Sequence, residues 1–592
     1  MRTAKDNIFL TVVLIAVGCV TSCNELKRPV PNPYLAESQP PSVKELRWSN
    51  GASPKTLDPA RAAAAPETDI IRTAYEGLTV TDPTTLEAGP GVAKSWTVSA
   101  DGLEWTFTLR DNAKWTNGRA VTANDFARSW QRLNKLGAKA AHKALLDNFA
   151  RQAGIKTSLP AITEETSPDV NGQTDVFTRE TEAVDPSAPQ QETPANTTDP
   201  EKLDEVPALD IRAVDASTFV VKLVHPDKDF PLVVAHPIFD PVYGDGTDLN
   251  SKPDLKKVTN GPFSITTVDE NGVSLERSES YWNRDAVELD RITFVATARP
   301  DDALAAYRDG KVDVVTNTEF APLAQKLFSP YADFKSSSFA ALNFYTVNIQ
   351  KAPFNDRRVR EALAISIERE KLSESELEGT TQPAFSFLPF AKESNSKIVQ
   401  DKDRAGELLE QAGFPNGYGF PRVRLVINRN EVQNRVARAA ARMWKSALNI
   451  ETDIVVAEPA ELEEIRTKGN YDLIRRGVVF PTASEYQSLL AVFDGNGTSD
   501  PITPTAPPES SASPQMTSSP ERASVTAEAP LSNAGEVLSE SQAVFQLHAI
   551  PLYFPMSFSL VKPYVLGFEP NGLDVRSSAT IAIDGDWRPQ VK

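Results

Sequence analysis

The polar and apolar positions change period several times along the chain, and each change marks an element. Glu104-Trp105-Thr106-Phe107-Thr108-Leu109-Arg110 alternates strictly, the period of a strand with one buried face. Upstream, Leu46-Arg47-Trp48-Ser49 reads as a first strand. Thr56 to Pro59 reads as a turn, and Glu67 to Tyr75 as a helix carrying Ile70, Ile71 and Ala74 at helical spacing. Downstream, Asn112 and Asn117-Gly118 are turn residues bounding the short Lys114-Trp115-Thr116 segment. Thr122 is placed to cap a helix, with Asp125 three residues on and Phe126 and Trp130 sharing a face. Four of the eight tryptophans (Trp96, Trp105, Trp115, Trp130) fall between Tyr75 and Arg132, so a compact aromatic lobe is expected there.

Farther along, Phe219 to Leu223 is strand-like, and Phe239-Asp240-Pro241-Val242 reads as a buried extended piece. Asn260-Gly261-Pro262-Phe263 turns into another strand, followed by a strand at Arg291 to Val295. A helix from Asp301 to Arg308 is closed by Gly310, and a strand follows at Val312 to Val315. The same alternation continues with strands at Leu342 to Asn348, Val423 to Ile427 and Ile454 to Val456. They are separated by helices after the Asn355-Asp356 cap, at 403–412 before Gly413, and at 431–449. Strand character returns at Ile550 to Phe554 and Val565 to Phe568. Such alternation predicts α/β architecture.

Two stretches break the pattern. Residues 164–205 carry twelve acidic residues against Arg179 and Lys202, and residues 497–536 hold seven prolines and no aromatic residue. Neither has the apolar area to offset its ordering entropy, and both are expected to be disordered.

Composition narrows the function. A chain of 592 residues is too long for one core, and a net charge of −18 argues against nucleic acid, which needs clustered Lys and Arg. No HExxH, GxSxG, P-loop or CxxC pattern occurs, and His142, His225, His236 and His548 lack ligand spacing. No catalysis, cofactor or metal is expected. The only cysteines, Cys19 and Cys23, follow Arg2, Lys5 and the apolar run Ile8 to Val17. Val20-Thr21-Ser22-Cys23 resembles the bacterial lipobox, with Ala16-Val17-Gly18-Cys19 as a second candidate. The expectation is a signal peptide over 1–22, lipidation at Cys23, and a tether over 23–42.

A longer resemblance runs through the body. Its parts are Leu57-Asp58-Pro59, Tyr75-Glu76-Gly77-Leu78, Gly91-Val92-Ala93-x-Ser95-Trp96, Trp105-Thr106-Phe107-x-Leu109-Arg110 and Ala113-Lys114-Trp115-x-Asn117-Gly118. Val121-Thr122-Ala123-x-Asp125-Phe126, Asn260-Gly261-Pro262-Phe263, Tyr281-Trp282 and Gly310-Lys311-Val312-Asp313 follow in order. Pro353-Phe354-Asn355-Asp356-x-x-Val359-Arg360-x-Ala362-Leu363 and Val561-Lys562-Pro563-Tyr564-x-x-Gly567 complete it. The chain resembles the family 5 extracellular solute-binding proteins, specifically the oligopeptide-binding proteins of ABC importers. The resemblance implies an α/β fold of the periplasmic-binding-protein type (type II, cluster C), two-lobed with an extra domain. Its three domains around a cleft would be domain I at 43–75, 208–316 and 560–592, domain II at 76–207, and domain III at 317–559. The chain crossings near Asn317 and Ser559 would be the hinge. Implied partners are a peptide or small-solute ligand, the permease subunits of the inner membrane, and the membrane itself through the lipid. A monomer on the periplasmic side of the bacterial cell envelope is expected.

The resemblance also implies a ligand set, and the chain departs from it. The aspartate that pairs with a peptide's α-amine follows the Tyr471-Asp472-Leu473-Ile474-Arg475-Arg476-Gly477 segment, where Pro481 stands, and Val478 replaces a tryptophan. Proline offers neither charge nor backbone donor. An acidic pocket position after Leu57-Asp58-Pro59 falls at Ala63, in the segment that also brings Ala65 into the candidate set. Another acidic position falls at Thr346, and a stacking tryptophan at Pro459. Arg466 and Arg475 match basic positions that meet peptide carboxylates, and Asn317 matches a polar residue at the hinge-proximal edge. The frame is thus kept while its amine-reading acids are gone. A second reading is a lipoprotein that keeps the fold, has lost transport, and acts in sensing or surface interaction.

Overall fold

The computed structural model describes residues 33–152, 206–246, 257–390, 397–493 and 539–589. Both low-complexity stretches, Cys19 and Cys23 lie outside the described residues. Along the chain, β1 (Glu45–Ser49) and α1 (Glu67–Ala74) precede β2 (Ala93–Val98), β3 (Glu104–Leu109) and α2 (Ala123–Leu136). Next come β4 (Ile211–Ala213), β5 (Thr218–Lys222), β6 (Phe263–Asp269), β7 (Gly272–Arg277), β8 (Arg291–Val295), α3 (Pro300–Arg308) and β9 (Val314–Val315). The remainder supplies β10 (Phe334–Ser338), β11 (Ala341–Val347), α4 (Arg357–Ile365), β12 (Thr381–Pro383), α5 (Lys402–Gln411) and β13 (Val423–Asn428). It ends with α6 (Glu431–Leu448), β14 (Thr452–Ala457), α7 (Pro459–Thr467), β15 (Leu473–Val479), α8 (Glu485–Phe493) and β16 (Ala549–Val561).

The aromatic lobe forms as its alternation predicts. Trp105, Phe107 and Leu109 of β3 are buried while the residues between them are half-buried. Asp125 accepts hydrogen bonds from the Thr122 N–H and hydroxyl, both at 2.9 Å, which fixes the start of α2. Trp130 on α2 meets Phe149, Phe219 and Phe239 edge-on at centroid distances of 5.7, 5.0 and 5.1 Å, and donates its indole N–H to the Phe239 carbonyl at 2.8 Å. Edge-on rings match the aromatic quadrupole, and the donated N–H avoids an orphaned polar group.

Within the span 208–316, grouped with domain I by the resemblance, residues 209–239 pack elsewhere. β4 and β5 complete the four-stranded sheet β2-β3-β5-β4, and Phe219, Phe230 and Phe239 share one apolar core with Trp105 and Trp130. The β3–β5 ladder, with Phe107 opposite Phe219, brings them there. The expected tether is also shorter than 23–42. Ala36 is buried, the Leu35 N–H donates to Asp333 at 2.8 Å, and the Lys562 ammonium donates to the Glu37 carbonyl at 3.0 Å.

The other strands form one twelve-stranded sheet in the order β14-β13-β15-β11-β16-β9-β1-β8-β7-β6, with β10 and β12 also pairing to β16. Three chain segments converge on Asp313, which is fully buried. It accepts from the Arg47 guanidinium at 2.6 and 3.1 Å and from the Tyr564 hydroxyl at 2.7 Å. The Gly-Lys-Val-Asp and Val-Lys-Pro-Tyr motifs are therefore two sides of one structural knot. Asp58, also fully buried, receives both Arg132 amino groups at 3.0 and 2.5 Å, tying the aromatic lobe to the segment before α1. Arg360 likewise serves structure, donating to the carbonyls of Phe354, Asn355 and Gln546.

β16 is the least expected element. Sequence patterning marks only Ile550 to Phe554, yet the strand spans thirteen residues. Its first part pairs with β11 and β12, and its last part with β10 and β9. Pro551 and Pro555 interrupt the polar–apolar signal. Pro551 also lacks a ladder donor, and the β11–β16 register shifts beside it, between Asn343 and Phe344.

Candidate ligand-binding cleft

β13, β14 and β15 run parallel, and crevices in open α/β sheets lie beyond the carboxyl ends of such strands. Beside the carboxyl end of β13, at Asn428, a polar cluster gathers around Arg475, the third residue of β15. Its two amino groups donate to Asn343 Oδ1 at 2.6 Å and Asn428 Oδ1 at 3.3 Å. Gln433, in the first turn of α6, donates to the Tyr553 hydroxyl at 3.0 Å and reaches Asn343 Oδ1 at 3.5 Å. Asn343, Gln433 and Tyr553 are buried, while Arg475 is half-buried. The shifted β11–β16 register places Asn343 opposite Tyr553. The amide oxygens of Asn343 and Asn428 thus orient the Arg475 guanidinium, a planar set of donors whose geometry matches a carboxylate.

Arg466 is not part of that cluster. α6 packs on the face bearing Tyr345 and α7 on the face bearing Ile474, and Arg466 lies on α7, ion-paired with Glu463. Its charged neighbour is Arg476, which shares the α7-covered face with Ile474 and which β-strand alternation turns away from Arg475. Arg476 donates to the Val492 carbonyl at 3.0 Å, and its pKa is lowered to about 10 by burial and then by Arg466. The two candidate arginines therefore do not converge. Thr346 lies inside the same sheet opposite Ile474, with its hydroxyl oxygen sealed from solvent and without a hydrogen-bond partner among the described residues. A ligand cannot reach that atom here, because it lies on a covered face of the sheet.

Asn317 and Ala65 do come together. Asn317 adopts a left-handed φ of 49° and donates to the carbonyls of Asn50 at 3.1 Å and Ala65 at 3.4 Å. Gly51, at φ 118°, makes this approach feasible, since a Cβ there would lie 3.0 Å from the Asn317 amide nitrogen. Ala63 is exposed.

Pro481 follows β15 and leads directly into a contact with the aromatic lobe. The Ser484 hydroxyl donates to Asp227 at 3.3 Å, the Glu485 N–H donates to Asp229 at 3.2 Å, and Lys228 pairs with Glu485 at 3.4 Å. Asp227 is buried, and burial raises its pKa to about 6. Asp472, two residues before β15's Ile474, is structural, held by Lys351 and by the Arg424 N–H at 2.7 Å.

The bacterial extracellular solute-binding protein family 5 profile matches residues 87–500. The chain belongs to this family. The family is one of extracellular binding proteins, and its members share this two-lobed α/β frame. The chain is 25% identical over 573 residues to the periplasmic oligopeptide-binding protein OppA of Salmonella typhimurium, covering 94% of this chain and 95% of that one. It is 29% identical over 589 residues to the periplasmic murein peptide-binding protein MppA of Escherichia coli, covering 95% and 98%. The unliganded open form of MppA superposes with a TM-score of 0.67 at 24% identity, covering 92% of this chain and 98% of that one, so the fold extends along nearly the full length.

Sequence reasoning reached Arg475 but not the residues that hold it. Asn343 and Gln433 stood out only as single polar positions within an apolar strand and at the start of an amphipathic helix. Tyr553 looked like an ordinary core residue.

Proposed function

We propose that this chain is the extracytoplasmic solute-binding component of an ABC importer, capturing oligopeptides or a related solute between its lobes. The observation that carries the reading is Arg475, fixed by Asn343 and Asn428 beside the carboxyl end of β13 in a chain that matches family 5 along its body. In this reading Arg475 meets a ligand carboxylate, and an extended ligand adds main-chain hydrogen bonds as a supplementary strand. Water-filled pockets accommodate its side chains. The protein works without catalysis, as a monomer, anchored on the periplasmic side through Cys23. It hands its solute to inner-membrane permease subunits.

Binding to the folded state alone raises the melting temperature by mass action. A thermal-shift screen of a peptide library against the mature protein and Arg475→Ala tests the reading. Hits that weaken in the variant are expected. A screen without a single shift would sink peptide capture.

A further inference from the structure

A cavity of about 70 Å³ lies between the aromatic lobe and α1, with Arg72, Glu76, Asp240, Tyr281 and Arg576 among its walls. That volume holds a few waters or the tip of one cationic side chain. Val80, 37% exposed, marks where it meets the surface. Asp240 is only 6% exposed, yet its carboxylate accepts no hydrogen bond and forms no ion pair within 4 Å among the described residues. Buried carboxylates are ordinarily paired, and one that borders a cavity without a protein donor is placed to accept from a cationic group.

The arginines in the walls are directed elsewhere. Arg72 faces Asp69 at 3.9 Å, and Arg576 turns to Asp574 at 3.4 Å and the Val575 carbonyl at 3.0 Å. Glu76 is held by two uncharged donors, the Tyr281 hydroxyl at 2.5 Å and the Trp282 indole at 2.6 Å. Two acids and two arginines therefore line the space, and among the described residues neither arginine forms an ion pair with Asp240 or Glu76 within 4 Å.

We propose that this cavity binds a primary ammonium group of the captured solute, with Asp240 as the ion-pairing carboxylate and Glu76 as the second acceptor. The proposal deepens the solute-capture reading and rests on it. It supplies an amine-reading site away from Pro481, where the family's aspartate is absent. Burial holds the Asp240 carboxyl well above the usual range, with Arg72 opposing and Glu76 adding to the rise, so an arriving ammonium would displace a proton from it.

The test uses the mature full-length protein, Asp240→Asn, and Val80→Trp, which plugs the mouth from an exposed position and carries the test should the first variant misfold. Methylammonium chloride is compared with sodium and tetramethylammonium chloride at equal ionic strength by thermal shift. Methylammonium alone should stabilise the wild type, and neither variant should respond. Calorimetry with trialanine, N-acetyl-trialanine and N-acetyl-Ala-Lys-Ala then separates an α-amine from a lysine side chain. Whichever ammonium-bearing peptide binds should lose about ten-fold in affinity in the variants, while N-acetyl-trialanine is unaffected. Equal methylammonium shifts in all three proteins, or equal peptide affinities, overturn the cavity while leaving peptide capture standing. A methylammonium response that depends on Asp240, with no peptide binding at all, removes the peptide reading and keeps the cavity.

Discussion

Arg475 and Asp240 are both withdrawn from water, but their surroundings were built differently. Arg475 sits half-buried in β15 beside the carboxyl end of β13, with Asn343 and Asn428 accepting from it and Gln433 bridging Asn343 to Tyr553. Asp240 is nearly sealed off, beside a cavity, and accepts nothing from the described residues. One group is held by protein dipoles, and the other borders a cavity without a protein donor among the described residues. The first arrangement contributes to the stability of the fold and the second costs stability. A group that costs stability and has no structural duty is where a ligand can contribute most.

The largest test of this contrast is removal of the cation. Arg475→Ala should weaken solute binding by about 3 kcal/mol, since charge-assisted contacts are lost, and should lower folding stability by about 1–3 kcal/mol because buried Asn343 loses its donor. Calorimetry and urea unfolding read the two effects. A variant that binds normally would assign Arg475 to structure alone. Next in size is pH. Asp69, Glu76 and Asp227 have folded-state pKa values of about 6, 7 and 6, each raised chiefly by burial. Between about pH 4 and 7 these three carboxyls keep protons in the folded chain that they release on unfolding, so their contribution to stability falls as pH rises, while His236 and His548, whose pKa values burial lowers, contribute in the opposite direction. Glu76→Gln should flatten the fall by on the order of 3 kcal/mol, measured as urea midpoints at pH 5 and pH 8.

Asp240→Asn should carry the opposite sign to the arginine variant, stabilising the fold by about 1–2 kcal/mol at pH 8 because an unpaired carboxylate is removed. Destabilisation instead would mean that Asp240 holds the fold, and the contrast would collapse. The smallest effect is expected at Pro481. Introducing a carboxylate with Pro481→Asp should tighten free-amine peptides by roughly ten-fold in calorimetry if the position faces the amine. Unchanged affinity would show that this position does not face the amine.

Much of the frame was legible because local patterns determine it. The strict alternation in β3, the Thr122–Asp125 start of α2 and the Asp356 cap before α4 each act within a few residues. The Arg475 cluster was not legible, because Asn343, Asn428 and Tyr553 lie far apart in the chain and meet only through strand order. Asp240 was read as part of a buried extended piece, but burial alone says nothing about whether a carboxylate finds a donor. The docking of residues 34–37 and the length of β16 escaped for a related reason. Proline and short irregular segments carry no period, and their place is set by distant neighbours.

Because β16 runs unbroken from its pairing with β11 to its pairing with β9, the two halves of the large sheet are joined by a stiff rod as well as by peptide linkers. Sliding one half past the other would break ladder bonds, whereas twisting the rod preserves them. If the lobes close around a solute as proposed, that closure works against the torsional stiffness of β16 near Pro555 to Ser557. Substitutions there would then change affinity without changing an atom that the solute touches.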